Sequence, residues 1–231
     1  MSREKTLYAI IDTETANTLA LNGKLFMRDV QIYDIAIAII DRYGHVYAVL
    51  RLIIDEVFHN PSLMTSAYYA KKIPEYVRQI NEGEAQLVSI YDARRMVKAL
   101  LEEYNVKVIM AHNARFDENA LKSTIRYQTK SKARYFLPYD VEWWDTMKMA
   151  SDVICKKKSY IKFCEENGFM TKQKTPRPRK TAEVIYRYIT QDPTFQEAHR
   201  GYDDIQIEKE IFAYCIKQHK KMRRNLWIDK P

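Results

Sequence analysis

Four acidic residues occupy positions where apolar side chains are expected, and a histidine accompanies one of them. Asp12 and Glu14 close the apolar run Leu7 to Ile11. That run is short, β-prone and hydrophobic on both faces, so it reads as a strand buried on both sides. Side chains two apart on a strand share a face, which sends Asp12 and Glu14 out together. Their mutual repulsion calls for compensation, and a divalent cation is the usual agent. Asp117 heads a second set, because Ala120, Leu121 and Thr124 lie three, four and seven residues on, along one helical face. Its neighbour Glu118 turns toward Lys122. Asp204 heads a third set with Ile207, Glu208, Ile211 and Cys215, whereas Asp203 shares a more polar face with Gln206, Glu210 and Tyr214. His199, in the loop before Asp204, is a candidate general base. If the four acids converge, their oxygens suit Mg²⁺ or Mn²⁺. Two such ions about 3.5–4 Å apart would stabilise the attacking and leaving oxygens of a phosphodiester displacement.

The elements that must position these residues follow from periodicity. Val30 to Asp41 and His45 to Ile54 read as strands of an antiparallel hairpin turning at Arg42-Tyr43-Gly44. Residues 55–83 are irregular, with short helices expected around Ala67–Lys71 and Glu75–Asn81. Leu87 to Tyr104 carries the stripe of an amphipathic helix. Val106 to Ala111 reads as a buried strand parallel to the first, since a helix separates it from the hairpin. Asn113 is a helix N-cap by residue type, opening a helix from about Arg115 to Tyr127. Val141 to Trp144 reads as a fifth strand ending at Asp145. Helices follow from Thr146, across Tyr160 to Asn167, from a Thr181 cap to Ile189, and from about Asp203 to His219. The order predicts an α/β fold: a mixed five-stranded sheet, three strands antiparallel and the others parallel, flanked by helices. In such sheets ligands bind outside the carboxyl ends of the parallel strands, which would bring Asp117 near Asp12.

The chain has 231 residues, 46% hydrophobic and 29% charged, as expected of one globular domain over residues 1–231 with a basic tail at about 220–231. A net charge of +8 favours a polyanionic partner. Five glycines and no Gly-rich fingerprint argue against a nucleotide-cradling loop. Three cysteines without metal-type pairing point to a reducing compartment, and a cytoplasmic location is expected. The N-terminus, Met-Ser-Arg-Glu-Lys, shows no signal peptide, and no apolar span is long enough to cross a membrane. The tract Lys172 to Lys180 holds Pro176 and Pro178 among basic residues and reads as a loop. Within it Arg177, Arg179 and Lys180 are candidate contacts to nucleic-acid phosphates.

Three short motifs, in this order, resemble one family. Asp12-Thr13-Glu14-Thr15, His112-Asn113-Ala114-Arg115-Phe116-Asp117 and His199-Arg200-Gly201-Tyr202-Asp203-Asp204 resemble the three exonuclease motifs of the DEDDh 3′→5′ exonucleases, the superfamily of the proofreading subunit of bacterial DNA polymerase III. Trp144-Asp145-Thr146 resembles a further Asp-Thr step of that family. The resemblance implies an RNase H-like fold, two divalent ions held by Asp12, Glu14, Asp117 and Asp204, and His199 as general base. It places Thr13 and Thr15 beside the 3′-terminal nucleotide, and Asn113 and Phe116 near the substrate strand; Phe116 also reads as a core aromatic. Two departures touch substrate contacts and no metal carboxylate: Ala16 stands where relatives often have Gly, and Gly201-Tyr202 where they often have Ala-Leu. The implied activity is removal of nucleoside monophosphates from the 3′ end of DNA, single-stranded by preference, with a polymerase or other replication protein as an additional candidate partner. Two alternatives stay open. One is an RNA 3′→5′ exonuclease of the RNase T and oligoribonuclease kind; the other is a catalytically silent nucleic-acid-binding module associated with a polymerase.

Overall fold

The computed structural model describes residues 5–16, 27–65, 67, 70–129, 135–197 and 201–230. The strands are β1 (Leu7–Ala16), β2 (Gln31–Asp41), β3 (Val46–Ile54), β4 (Gln86–Val88), β5 (Val108–Ala111) and β6 (Glu142–Asp145). Between β3 and β4 come the short helices α1 (Asp55–Phe58) and α2 (Pro61–Met64), then α3 (Ile73–Asn81). Helices α4 (Ile90–Glu103) and α5 (Arg115–Thr129) flank β5 in the chain. After β6 follow α6 (Thr146–Val153), α7 (Lys158–Glu166), α8 (Ala182–Thr190) and α9 (Gly201–Lys217). The strands form one mixed sheet in the order β4-β3-β2-β1-β5-β6. β1, β2 and β3 pair antiparallel, while β4, β5 and β6 each pair parallel to their neighbours.

The sheet separates two cores because its central strands are apolar on both faces. Every residue of β2 is buried. Ala9, Ile11, Ile35, Ile37 and Ile39 face the core shared with Val97, Leu101, Ala120, Leu121 and Ile125 of α4 and α5. Ile10, Ala36, Ala38 and Ile40 face the other, with Met149, Ile185, Ile205 and Ile211 of α6, α8 and α9. The small side chains of Ala36 and Ala38 let a helix lie close to the strand. At Gly201 an added Cβ would sit 3.0 Å from the Ala36 Cβ and 3.4 Å from Asp34 Oδ2. A larger residue at the start of α9 would press on β2, which would have to give by a few tenths of an ångström.

Among the described residues the sheet has six strands, one more than the sequence predicts. The extra strand is β4, whose Leu87 falls on the apolar stripe that predicts a helix from Leu87. Ser89 ends the strand and caps α4, its side chain accepting from the Asp92 N–H, so the helix starts at Ile90. In the tail from Lys220, unassigned from sequence, residues 224–226 lie along the β6 edge: the Asp145 N–H donates to the Arg224 carbonyl and the Leu226 N–H to the Trp143 carbonyl. Leu226 is buried there, which covers a sheet edge that would otherwise present open backbone groups. Among the described residues no helix is long and apolar enough to cross a membrane.

Candidate active site

Asp12 and Glu14 emerge at the C-terminal end of β1 on the face occupied by α9, the face of Ile10. Asp204, in the first turn of α9, comes down onto them. Asp12, Glu14 and Asp204 each offer a carboxylate oxygen, and the three oxygens lie within 4.8 Å of one another. Thr13, between the two acids, points to the opposite face and meets α5. Its hydroxyl donates to Asp117 Oδ1 at 2.8 Å, so Asp117 is held across the strand end and outside the tight set of three. Strand alternation thus distributes the acids: two go to α9 directly, and the residue between them ties down the acid from α5.

The pairing of β1 with β2 shifts register between Glu14 and Thr15, so that Glu14 faces Asp34 and Thr15 faces Ile32. The last pair before that shift sets a further buried carboxylate, Asp34, beside Glu14. Burial pushes Asp34 up to about 6, opposed by the Tyr76 hydroxyl, the Arg51 charge and the Gly201 N–H, which donates to it. Asp34 therefore anchors the start of the helix that carries Asp204. Glu208, one turn after Asp204, is also buried and accepts from the His112 N–H through Oε2 at 3.1 Å. That bond links α9 to the end of β5.

The clustered carboxyls resist ionisation. Burial, followed by the charges of Glu208, Asp204, Asp117 and Glu14, holds Asp12 well above the usual carboxylate range. Burial and the Asp34 charge push Glu14 up to about 9, with Lys72 acting in the opposite direction. Asp117 is pushed up to about 7 by burial, against the stabilising Thr13 hydrogen bond. Burial first, then Asp117, raises Glu208. Asp12, Glu14 and Asp204 together make an all-oxygen donor set with excess negative charge, containing neither thiolate nor imidazole. Such a set fits Mg²⁺ or Mn²⁺ and is poorly suited to a soft metal.

The remaining residues singled out from sequence divide differently. His199 lies outside the described residues. Thr15 is buried beside Glu14 on β1. Phe116 is partly buried and packs against the α5-side core, in keeping with its reading as a core aromatic. Asn113 is not the residue that caps α5. It adopts φ 66°, a left-handed conformation that Asn tolerates, and its N–H donates to Asp145 Oδ1 at 3.2 Å. Asp145 in turn caps α6 by accepting from the Met147 and Lys148 N–H groups. The basic tract is more ordered than a plain loop. Met170 and Pro178 form an isolated antiparallel bridge, and the Arg179 N–H donates to the Phe169 carbonyl. Its base is pinned next to β5 by His112 Nε2, 2.7 Å from the Lys180 carbonyl. Arg177, Arg179 and Lys180 are all exposed, so their cations face solvent beside the acidic cluster's end of the sheet.

Sequence reasoning passed over Asp34 and Glu208, although signals existed. Asp34 interrupts the otherwise apolar run Ile32 to Ile40. Glu208 lies four residues after Asp204 on the same inward stripe, so the logic that selects Asp204 also selects Glu208.

No protein-family model matches the sequence, and no curated protein matches it. Solved structures do. The nuclease domain of 3'hExo bound to rAMP, described as a DEDDh family member, superposes with a TM-score of 0.62 at 11% identity over 97% of this chain and 98% of that one. A full-length 3'-exonuclease gives 0.60 at 9% identity, over 95% and 85%. The zinc-bound E. coli ExoI–ssDNA complex gives 0.57 at 14% identity, over 94% of this chain and 41% of that larger one. The chain therefore has the RNase H-like fold of these 3′-exonucleases, a mixed sheet flanked by helices.

Proposed function

We propose that the protein is a metal-dependent 3′→5′ exonuclease that releases nucleoside monophosphates from DNA, acting on single strands or 3′ ends. The observation that carries this reading is the convergence of Asp12, Glu14 and Asp204 at the end of β1, their oxygens within 4.8 Å. These three, with Asp117 alongside, would hold the divalent cations. Bound divalent ions supply charge neutralisation and an activated water for phosphodiester displacement. The chain's own groups do the rest. Thr13 holds Asp117 in place, and Glu208 fixes the end of β5 through the His112 N–H. Asp34 seats the first turn of α9. His199, five residues before Asp204 in the sequence, is assigned as the base that takes the proton of the attacking water. Thr15, Asn113 and Phe116 are assigned to the terminal nucleotides, and Arg177, Arg179 and Lys180 to phosphates of the incoming strand.

A second reading, an RNA exonuclease, is favoured by the rAMP bound in the 3'hExo domain. One experiment separates the readings. The protein is incubated with 3′- and 5′-labelled single-stranded DNA and RNA in Mg²⁺, Mn²⁺ or EDTA. Loss from the 3′ end of DNA, abolished by EDTA and by Asp12→Ala, is the expected result. Preferential loss from RNA would select the second reading, and no cleavage of any substrate would leave a binding module. His199→Ala is expected to slow hydrolysis by about a hundredfold or more while leaving DNA binding intact; wild-type rates would remove the general-base assignment.

A further inference from the structure

Beside α5 lies a cavity of about 300 Å³ that the reaction does not use. Tyr135, Tyr139, Trp143 and Trp227 line it, with Glu118 and Lys122. Three of the aromatics are exposed to solvent: Tyr135 at 42%, Tyr139 at 84% and Trp227 at 54%. An exposed tryptophan beside two exposed tyrosines is a costly surface unless something covers it. The Tyr135 and Tyr139 rings lie 4.6 Å apart, centroid to centroid. Lys122 and Arg115 place their cations 5.7 and 5.2 Å from the Trp227 ring. Glu118 is 5% exposed and pairs with Lys122 through Oε1, but its Oε2 is buried without a hydrogen-bond partner. A buried carboxylate oxygen without a donor is costly, and a ligand that brings a donor removes that cost.

We propose that this cavity binds one unpaired nucleotide whose base carries an amino edge, guanine above all. The chemistry matches part by part. Aromatic faces stack bases of any kind. Lys122 and Arg115 meet the phosphate, and as Lys122 turns to it, Glu118 is uncovered. The carboxylate then accepts from the base. Guanine offers two adjacent donors, N1–H and the 2-amino group; thymine offers one N–H between two carbonyls, which a carboxylate repels. The volume is at the small end for ligand sites, enough for a single base and too small for a folded peptide segment. A cationic ligand, the other occupant that aromatic rings and a carboxylate attract, is opposed here by Lys122, Arg115 and the net charge of +8. The inference rests on the nucleic-acid reading above. It adds a second contact to the strand, on the helix that also carries Asp117, and independent of the metal at the acidic cluster.

The test is calorimetric titration of the whole protein with dGMP and dTMP in EDTA, so that the acidic cluster carries no cation. Saturable dGMP binding is expected in the wild type and in Asp12→Asn. Trp227→Ala and Tyr139→Ala, both at exposed positions, are each expected to weaken it about tenfold or more. Glu118→Gln is expected to weaken dGMP about tenfold and to strengthen dTMP, because the charge that repels the thymine carbonyls is gone. Absence of dGMP binding would overturn the proposal, as would binding that survives both aromatic changes or disappears in Asp12→Asn. Binding of trimethyllysine in place of dGMP would also overturn it. Hydrolysis of labelled DNA is scored separately. An inactive protein that still binds dGMP at Trp227 keeps the pocket and loses the nuclease reading; an active one that does not bind dGMP does the reverse.

Discussion

Burial and crowding make Asp12 and Glu14 expensive residues in the absence of a cation. Both bind protons more tightly in the folded chain than in the unfolded one, Glu14 with a pKa of about 9, and so does Asp117 with one of about 7. Raised carboxyls contribute stability that is present below the ordinary carboxylate pKa of about 4 and is lost as pH rises toward the folded values. In EDTA the thermal midpoint is therefore expected to fall between about pH 5 and pH 9, the upper limit set by Glu14. A scanning-fluorimetry series in EDTA checks this, and a midpoint that rises across the window would contradict it. Asp12→Asn removes one of the repelling charges, so it is expected to raise the midpoint in EDTA and flatten its pH dependence. The same change is expected to cut 3′-end hydrolysis by more than about a hundredfold, since even outer residues of metal sites cost that much. Thr13→Val leaves the buried Asp117 carboxylate short of a donor. It is expected to destabilise the fold by about 1–3 kcal/mol in chemical denaturation.

Among the elements, the seat of α9 on β2 decides where Asp204 arrives. Ala36, Asp34 and Gly201 form that seat, with 3.0 Å between the Ala36 Cβ and the position of a Cβ on residue 201. Gly201→Ala is expected to cost about 1–3 kcal/mol by overpacking and to lower activity by displacing the helix start. Ala36→Gly in the same chain reopens the space, so the double variant is expected to recover part of both losses. A double-mutant cycle with no coupling would show that the contact does not position the helix. The β4–α4 junction carries a local test as well. Ser89→Ala removes the cap on the Asp92 N–H and is expected to cost about 1 kcal/mol.

Across the whole molecule most exposed acids and bases are interspersed in ion pairs, and the candidate site is the exception. The carboxylates collect at the carboxyl end of β1, and the basic hairpin is pinned to the neighbouring end of β5 through His112 and Lys180. Neutralising Arg177, Arg179 and Lys180 together is expected to weaken single-strand binding and to reduce the salt slope by roughly 0.7 for each phosphate no longer neutralised. An unchanged slope would show that the hairpin does not touch the strand.

Much of this arrangement is written locally. Alternation along Leu7 to Glu14 places Asp12 and Glu14 on one face, because a strand has a period of two. The spacing from Asp204 to Ile207 and Ile211 turns that acid inward, and Thr181 marks the start of α8 by its side-chain cap. These features depend on residues within one or two turns of each other. Other features have no local signature. β4 is three residues long, and Leu87 fits a helical stripe as well as a strand, so only pairing with Leu52 to Ile54 separates the two. The run at 224–226 becomes an edge cover only because Trp143 and Asp145 offer open backbone groups. Asp34 and Glu208 enter the acidic group through the β1–β2 pairing and a helix seat, and Asp117 is held at a distance by Thr13 from another element. The inventory of inward-facing acids, and the faces they occupy, are thus legible in the order of residues. Which of those acids meet is a matter of packing, because separations of a few ångströms between β1, α5 and α9 depend on how side chains far apart in the chain fit against one another.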